Sequence, residues 1–221
     1  FIGIIDIIGR VKFVWTNDQM AKQQLTQDEI SLVEAEYIKI VETLSDFDDS
    51  IMTSYLEGKE VSSAVVKSAI RKLTISNQIV PIICGSGFKN KGVEFLLDSV
   101  IDYLPSPEDV ESQEGEYENG EKEKLEPVDE KPFVGLIFKV VTDKHMGQIS
   151  FVRVYQGALK GGSEVFVPAK GKSVHVGRVV EMNADEPIAR EKICAGDIAA
   201  IIGLDSVITG TTLTDKSFPR I

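Results

Sequence analysis

The feature that most constrains this chain is a change of hydrophobic period partway along it. Ahead of Leu104-Pro105-Ser106-Pro107 the apolar residues recur mostly at helical spacing, whereas from Pro132 onward they fall in short runs broken by glycines. Between the two lies 108–131, which holds 11 acidic and 3 basic residues and almost no large apolar side chain. A stretch of that composition buries too little apolar surface to offset the entropy of ordering, so it reads as a disordered or loosely held acidic linker. One helical and α/β part and one all-β part are therefore expected on either side of it.

In the first part, Ile2, Ile4, Ile5, Ile7, Ile8, Val11, Phe13 and Val14 run or alternate around a break at Gly9-Arg10, which predicts two strands or a hairpin. The opening Phe1-Ile2-Gly3-Ile4-Ile5 reads as a strand already under way, as in a piece of a longer protein. Thr26-Gln27-Asp28-Glu29 has the form of a capping box, followed by Ile30, Val33, Tyr37, Ile40, Val41 and Leu44 on one helical face. Asp46 is the expected cap of a second helix carrying Phe47, Ile51, Tyr55 and Leu56 and stopped at Gly58. Ser62 or Ser63 is expected to start a third, with Val65, Val66, Ala69, Ile70 and Leu73 inward. Residues 78–84 then form a continuous apolar run, as in a strand buried on both faces of a parallel sheet. Gly85-Ser86-Gly87-Phe88 and a helix from near Gly92 follow, and a strand, small-residue loop and helix in that order form the unit whose loop carries ligands in doubly wound sheets. In the last part, strands are expected at Phe133–Val141, Gln148–Tyr155, Glu164–Pro168, Val174–Glu181, Ile198–Ile202 and Thr211–Leu213, a spacing that suggests a small closed β-barrel.

Charge and cysteine usage narrow the function. The net charge of −11 argues against nucleic-acid binding, because phosphate contacts need lysine and arginine. The acidity is local, however: 1–107 carries 15 acidic and 10 basic residues, whereas 132–221 carries 9 acidic and 11 basic. Cys84 and Cys194 are the only cysteines, too far apart for metal spacing or a disulfide framework, and both read as buried small hydrophobes of a reducing cytoplasm. His145 and His175 have no second ligand nearby, so no metal site is expected; His145 reads as a solvated turn residue or an exposed contact. No nucleophile and base pairing suggests covalent catalysis, and no apolar stretch or secretory signal suggests a membrane or export.

Several motifs together carry a resemblance. Gly85-Ser86-Gly87-Phe88-Lys89-Asn90-Lys91-Gly92-Val93, then Leu96-Leu97-Asp98 and Asp102-Tyr103-Leu104-Pro105-Ser106-Pro107, is similar to the guanine-recognition loop and closing helix of bacterial elongation factor G, a translational GTPase. Phe151-Val152-Arg153-Val154-Tyr155-Gln156-Gly157, Leu159-Lys160-Gly161-Gly162, Ala195-Gly196-Asp197-Ile198 to Leu204, and Thr209-Gly210 resemble that family's second domain. The resemblance implies an α/β remnant of a P-loop GTPase domain with an α-helical insertion, followed by an all-β barrel like the second domain of elongation factor Tu. It divides the chain into an insertion subdomain at 1–77, the last strand, guanine loop and closing helix at 78–107, the acidic linker at 108–131, and the barrel at 132–221. The Met182-Asn183-Ala184-Asp185 stretch departs from the family's usual Met-His-Ala-Asn.

The implied chemistry can be stated in physical terms. In a guanine loop of Ser86, Gly87 and Phe88, the backbone N–H groups matching the family's donors, at Ser86 and Gly87, would donate to the guanine carbonyl; adenine would leave those donors unpaired, at about 1–3 kcal/mol each. Gly87 stands where the family usually has alanine, which keeps the amide and adds flexibility. No phosphate loop, Asp-x-x-Gly or Asn-Lys-x-Asp occurs in the sequence, so GTP or GDP with magnesium belongs to a parent protein, and this stretch is expected neither to hydrolyse nor to bind nucleotide tightly. In the barrel, Arg153, Lys160, Lys170, Lys172 and Arg178 are the candidate contacts to ribosomal RNA, with Lys170-Gly171-Lys172 at a hairpin tip. The resemblance implies a ribosomal partner, met by the barrel at small-subunit RNA and by the insertion at the stalk protein, and a monomeric factor that moves transfer and messenger RNA or recycles the ribosome. The rival readings are a non-catalytic RNA- or ribosome-binding barrel, a ribosome-protection relative, and a divergent paralogue.

Overall fold

The structure, a computed structural model, describes residues 2–17, 19–117, 119–184, 186–205 and 207–215. Phe1, Asp185 and the last six positions of the expected barrel, 216–221, lie outside them. The chain forms two compact units, Phe1–Ser106 and Pro107–Ile221.

The first unit opens with an antiparallel sheet of β1 (Gly3–Asp6), β2 (Val11–Thr16) and β3 (Gln19–Gln23), in that order. The expected hairpin forms because the Asp6 carboxylate accepts the Gly9 N–H at 3.0 Å and closes the turn. β3 was not foreseen: Gln-Met-Ala-Lys-Gln is exposed throughout and carries no apolar period. α1 (Gln27–Ser45) starts at the expected capping box, with Glu29 N–H donating to Thr26 Oγ1 at 3.3 Å and Thr26 N–H to Glu29 Oε2 at 2.9 Å. The cap of α2 (Asp49–Leu56) is Asp48 rather than Asp46; Asp48 accepts the N–H groups of Ser50 and Ile51, while Asp46 ends α1. Those bonds hold the Asp48 carboxyl below the usual carboxylate range, the Ser50 side chain contributing most. α3 (Ser63–Ile75) is capped by Ser62 and buries Val66, Ala69, Ile70 and Leu73; Val65, expected inward, faces out. These residues form one core with Tyr37, Val41, Leu44, Ile51 and Tyr103.

α4 (Val93–Tyr103) completes the first unit. Arg71 on α3 donates from one guanidinium nitrogen to the carbonyls of Ile101, Asp102 and Leu104 at 3.0–3.2 Å, covering acceptors that a helix end leaves without partners. Phe13 and Trp15 pack on Phe95 with ring centroids 4.5 and 6.3 Å away. The expected strand over 78–84 does not form. The segment has no strand partner among the described residues, and a strand exists only through pairing. Val80 and Ile82 are consequently bare, at 82% and 93% exposure, while Ile79 packs against the helical core, and Cys84 is exposed rather than buried.

The second unit corrects the reading of 108–131. The segment is not a loose linker between domains but part of this unit, and it forms a hairpin of β4 (Glu114–Glu116) and β5 (Lys122–Lys124). The register explains the composition: Glu114 faces Lys124 and Glu116 faces Lys122, so the acids at both ends of β4 meet a cation directly opposite. Leu125 is 2% exposed, the Glu126 N–H donates to Gln156 Oε1 at 3.1 Å, and the Val128 carbonyl accepts the Gly157 N–H at 3.0 Å. One buried leucine and a few backbone bonds order a segment that its charge alone would leave loose.

The rest is β6 (Val134–Asp143), β7 (Gly147–Gln156), β8 (Leu159–Lys160), β9 (Glu164–Val167), β10 (Lys172–His175), β11 (Arg178–Asn183), β12 (Glu186–Arg190), β13 (Lys192–Ile193), β14 (Ile198–Ile202) and β15 (Thr212–Thr214). Eight of these make one antiparallel sheet in the order β10-β9-β15-β6-β7-β14-β11-β12, and β8 pairs with β13. The strand expected over Val174–Glu181 is divided at Val176-Gly177, and those two residues carry the chain from β10 to β11, six places across the sheet. So short a connection requires the sheet to curl on itself, as a barrel does. Gly177 allows it: a Cβ there would lie 2.2 Å from the Ile202 carbonyl oxygen. The curl encloses Ile137, Val152, Val154, Val165, Val167, Ile201, Leu204 and Leu213 in a core with no exposure above 2%.

Candidate functional site

The loop after Cys84 closes on itself. Ser86 N–H donates to the Lys91 carbonyl at 2.9 Å, and Lys91 N–H returns a bond to the Ser86 carbonyl at 3.0 Å. Inside this pair, Lys89 and Asn90 donate to the carbonyls of Ser86 and Gly87, and Asn90 takes a left-handed φ of 47°, a conformation asparagine tolerates. Gly85 has no room for a side chain, since a Cβ would lie 2.9 Å from the Lys91 carbonyl oxygen. Gly92, at φ +81°, turns the chain into α4. The loop is thus a tight reversal set on the N-terminus of a helix.

This geometry revises the donor set expected from the sequence. The Ser86 amide is used within the loop, whereas the amides of Gly87 and Phe88 have no bond to any described residue. Space beside Gly87 is open, with nothing within 4 Å of where a Cβ would sit, and Phe88 is fully exposed. The loop therefore offers two adjacent backbone donors and one aromatic ring to solvent. Lys91, which closes it, lies with its ammonium 6.0 Å from the centroid of the Trp15 ring.

In the second unit the candidate cations separate. Arg178 faces Ile202 and Arg153 faces Ile198, four residues apart on β14, or roughly 13 Å at the usual rise per residue, so they make no single patch. Arg153 is half-buried in a cleft shared with Glu111, Gln113 and Leu125, beneath the acidic segment whose reach the sequence did not disclose. Lys160 faces Lys192 across β8 and β13. Lys170 and Lys172 do flank a tight reversal as expected: Pro168–Lys170 makes one 3-10 turn, Gly171 follows at φ +59°, and both lysines are exposed.

The remaining candidates fall into place. The Asp143 carboxylate accepts the N–H groups of Met146 at 2.8 Å and His145 at 2.7 Å, which holds it below its ordinary range and leaves His145 exposed on a defined turn. Cys194 is half-buried rather than buried; hydrogen bonding to Asp129, then burial, pushes its thiol up. Asp129 also accepts the Ala195 N–H at 3.0 Å and lies 3.5 Å from Lys192. A cleft of about 420 Å³, for which no sequence motif stood out, is lined by Glu181, Arg190, Lys192 and Asp197 over Ile198 and Ala199. No three metal-binding side chains converge among the described residues, and no helix there is long and apolar enough to cross a membrane.

In comparison with known proteins, residues 132–216 of the second unit match the family model described as elongation factor G domain 2. The curled sheet is thus similar to the second domain of a translation elongation factor. Over 99% of its length the chain also matches, with a TM-score of 0.77 and 23% identity, a crystal structure of a protein from Thermus thermophilus. At that identity the likeness concerns the fold, and the chain spans 30% of that protein's length.

Proposed function

We propose that this chain is the end of the nucleotide domain, its insertion and the second domain of a ribosomal translocation GTPase of the elongation factor G kind. The observation that carries the reading is the pairing, within one chain, of a barrel similar to elongation factor G domain 2 with a strandless apolar run, an amide-presenting loop and a helix directly before it. Exposed Val80, Ile82, Leu97 and Ile101 on that run and helix are what the other strands and helices of a doubly wound parallel sheet would cover.

In this reading Gly87 and Phe88 donate their N–H groups to the guanine carbonyl, and Ser86 shapes the loop by bonding Lys91. Bound GTP would supply a switch between two arrangements of the factor, with its phosphates and magnesium held by motifs this sequence does not contain. This chain on its own is then not an enzyme. The barrel would dock on small-subunit ribosomal RNA through Lys170, Lys172 and Arg178, with Arg153 recessed behind the acidic segment. The first unit would meet the stalk protein, and the factor would act as a cytoplasmic monomer.

The test is sedimentation of the chain with small ribosomal subunits over a salt series. Binding that weakens with salt, and that Lys170→Glu with Lys172→Glu reduces roughly tenfold, is expected from the loss of two phosphate contacts. Binding indifferent to both salt and the double substitution overturns the docking. In parallel, calorimetry with GDP should show an affinity of about millimolar or weaker, because one loop supplies only a few kcal/mol; micromolar binding overturns the division of labour.

A further inference from the structure

The sheet β1–β3 touches the loop and its helix at three points. Lys91 rests its ammonium near the Trp15 ring at 6.0 Å. Gly92 approaches β1 so closely that a Cβ would lie 2.5 Å from Ile4 Cδ1. Phe95, in the first turn of α4, packs on Phe13 and Trp15. Lys91 is also the residue whose carbonyl and N–H both bond Ser86. One residue therefore closes the loop through its backbone and leans on the sheet through its side chain.

We propose that Trp15 is a positioning residue for the loop: it holds Lys91, and through the Lys91–Ser86 pair it sets the direction of the Gly87 and Phe88 amides. Two backbone bonds around a four-residue loop open easily unless something outside them restricts the ends. Trp15 supplies that restriction with a flat ring that stands at 74° to the Phe95 ring of the helix and has the lysine ammonium over its face. The functional meaning rests on the loop being the guanine-recognition element; the geometry does not. It follows that whatever displaces β2 alters the hold on the base, and that occupancy of the loop tightens the Trp15–Lys91 contact to the same degree.

The experiment is residue-resolved amide exchange on this chain, with no nucleotide present. In Trp15→Ala the Ser86 and Lys91 amides should exchange roughly tenfold faster, while Val66 and Leu73 in α3 keep their protection. In Lys91→Met, which leaves the Phe13–Phe95 packing alone, the Ser86 amide should exchange about threefold faster, the size of one exposed cation–π contact. Trp15 is the only tryptophan, so its emission should shift in the same variant. Wild-type protection at Ser86 and Lys91 in Trp15→Ala overturns the proposal. So does a loss of protection that α3 shares equally, which would make Trp15 an ordinary core residue, and so does unchanged emission in Lys91→Met. Failure of a longer chain with the phosphate loop to bind guanine would overturn the reading of the loop and leave this coupling intact.

Discussion

In the barrel, Val152, Val154 and Ile201 are 0% exposed; in the first unit, Val80 and Ile82 are 82% and 93% exposed. The residue types are the same, and in the sequence the two sets look alike: short apolar, β-branched runs next to glycine. The difference is the supply of partners. β7 and β14 find each other within the chain, and the two-residue link from β10 to β11 curls their sheet around its own interior. The run at 78–84 has no strand beside it among the described residues. An apolar run declares that its residues favour burial; it does not declare what buries them.

The sharpest way to break this comparison is a matched pair of truncations. Ile201→Ala should destabilise the second unit by about 2–5 kcal/mol, because the enclosed site cannot collapse around the lost methyls, and chemical denaturation of the second unit will measure it. Leu125→Ala tests whether the acidic segment belongs to the barrel; a loss of about 2–3 kcal/mol, with faster proteolysis inside 108–131, is expected from a buried leucine at a margin that can partly close. Thr26→Ala removes one cap and should cost the first unit about 1 kcal/mol, with no change in the second unit's midpoint.

A pH titration sharpens the comparison further. The carboxyls of Asp48, Asp129 and Asp143 are held below their ordinary range by bonds to N–H and side-chain donors, the Cys194 thiol acting most strongly on Asp129. A carboxyl depressed in the folded state stabilises it at every pH above the unfolded value, about 3.9, and loses that contribution as pH falls through the folded value. Both units should therefore hold their stability down to about pH 4 and lose it below, with Asp48→Asn flattening the profile of the first unit alone. Smallest of all, Ile82→Ser should change stability by no more than about 0.5 kcal/mol, as for an exposed site, while reducing self-association measured by light scattering.

Local chemistry was legible wherever a residue acts on its immediate neighbours. Thr26 and Glu29 form their reciprocal cap, Gly9-Arg10 turns the first hairpin, and Lys170-Gly171-Lys172 reverses the chain, because each depends on groups two to four positions away. The candidate site was legible to the same degree: the loop lies where its glycines placed it, yet which amides it leaves free depended on Ser86 bonding Lys91 across the turn. The basic residues of the barrel could be named, but their separation by four positions on β14 is a matter of register between strands far apart in the chain.

The sequence by itself determined the caps of α1 and α3, the turns at Gly9-Arg10 and Lys170-Gly171-Lys172 and the motifs at 85–107 and 132–213, because side-chain size, φ preference and local hydrogen bonding act over a few residues. Only the tertiary structure decided that the acidic segment joins the barrel through Leu125, that Arg153 is recessed beneath it, that 78–84 forms no strand, and that Trp15 carries Lys91. Each of those outcomes turns on a partner many positions distant, and the free energy of burying or pairing a group exists only once that partner is in place.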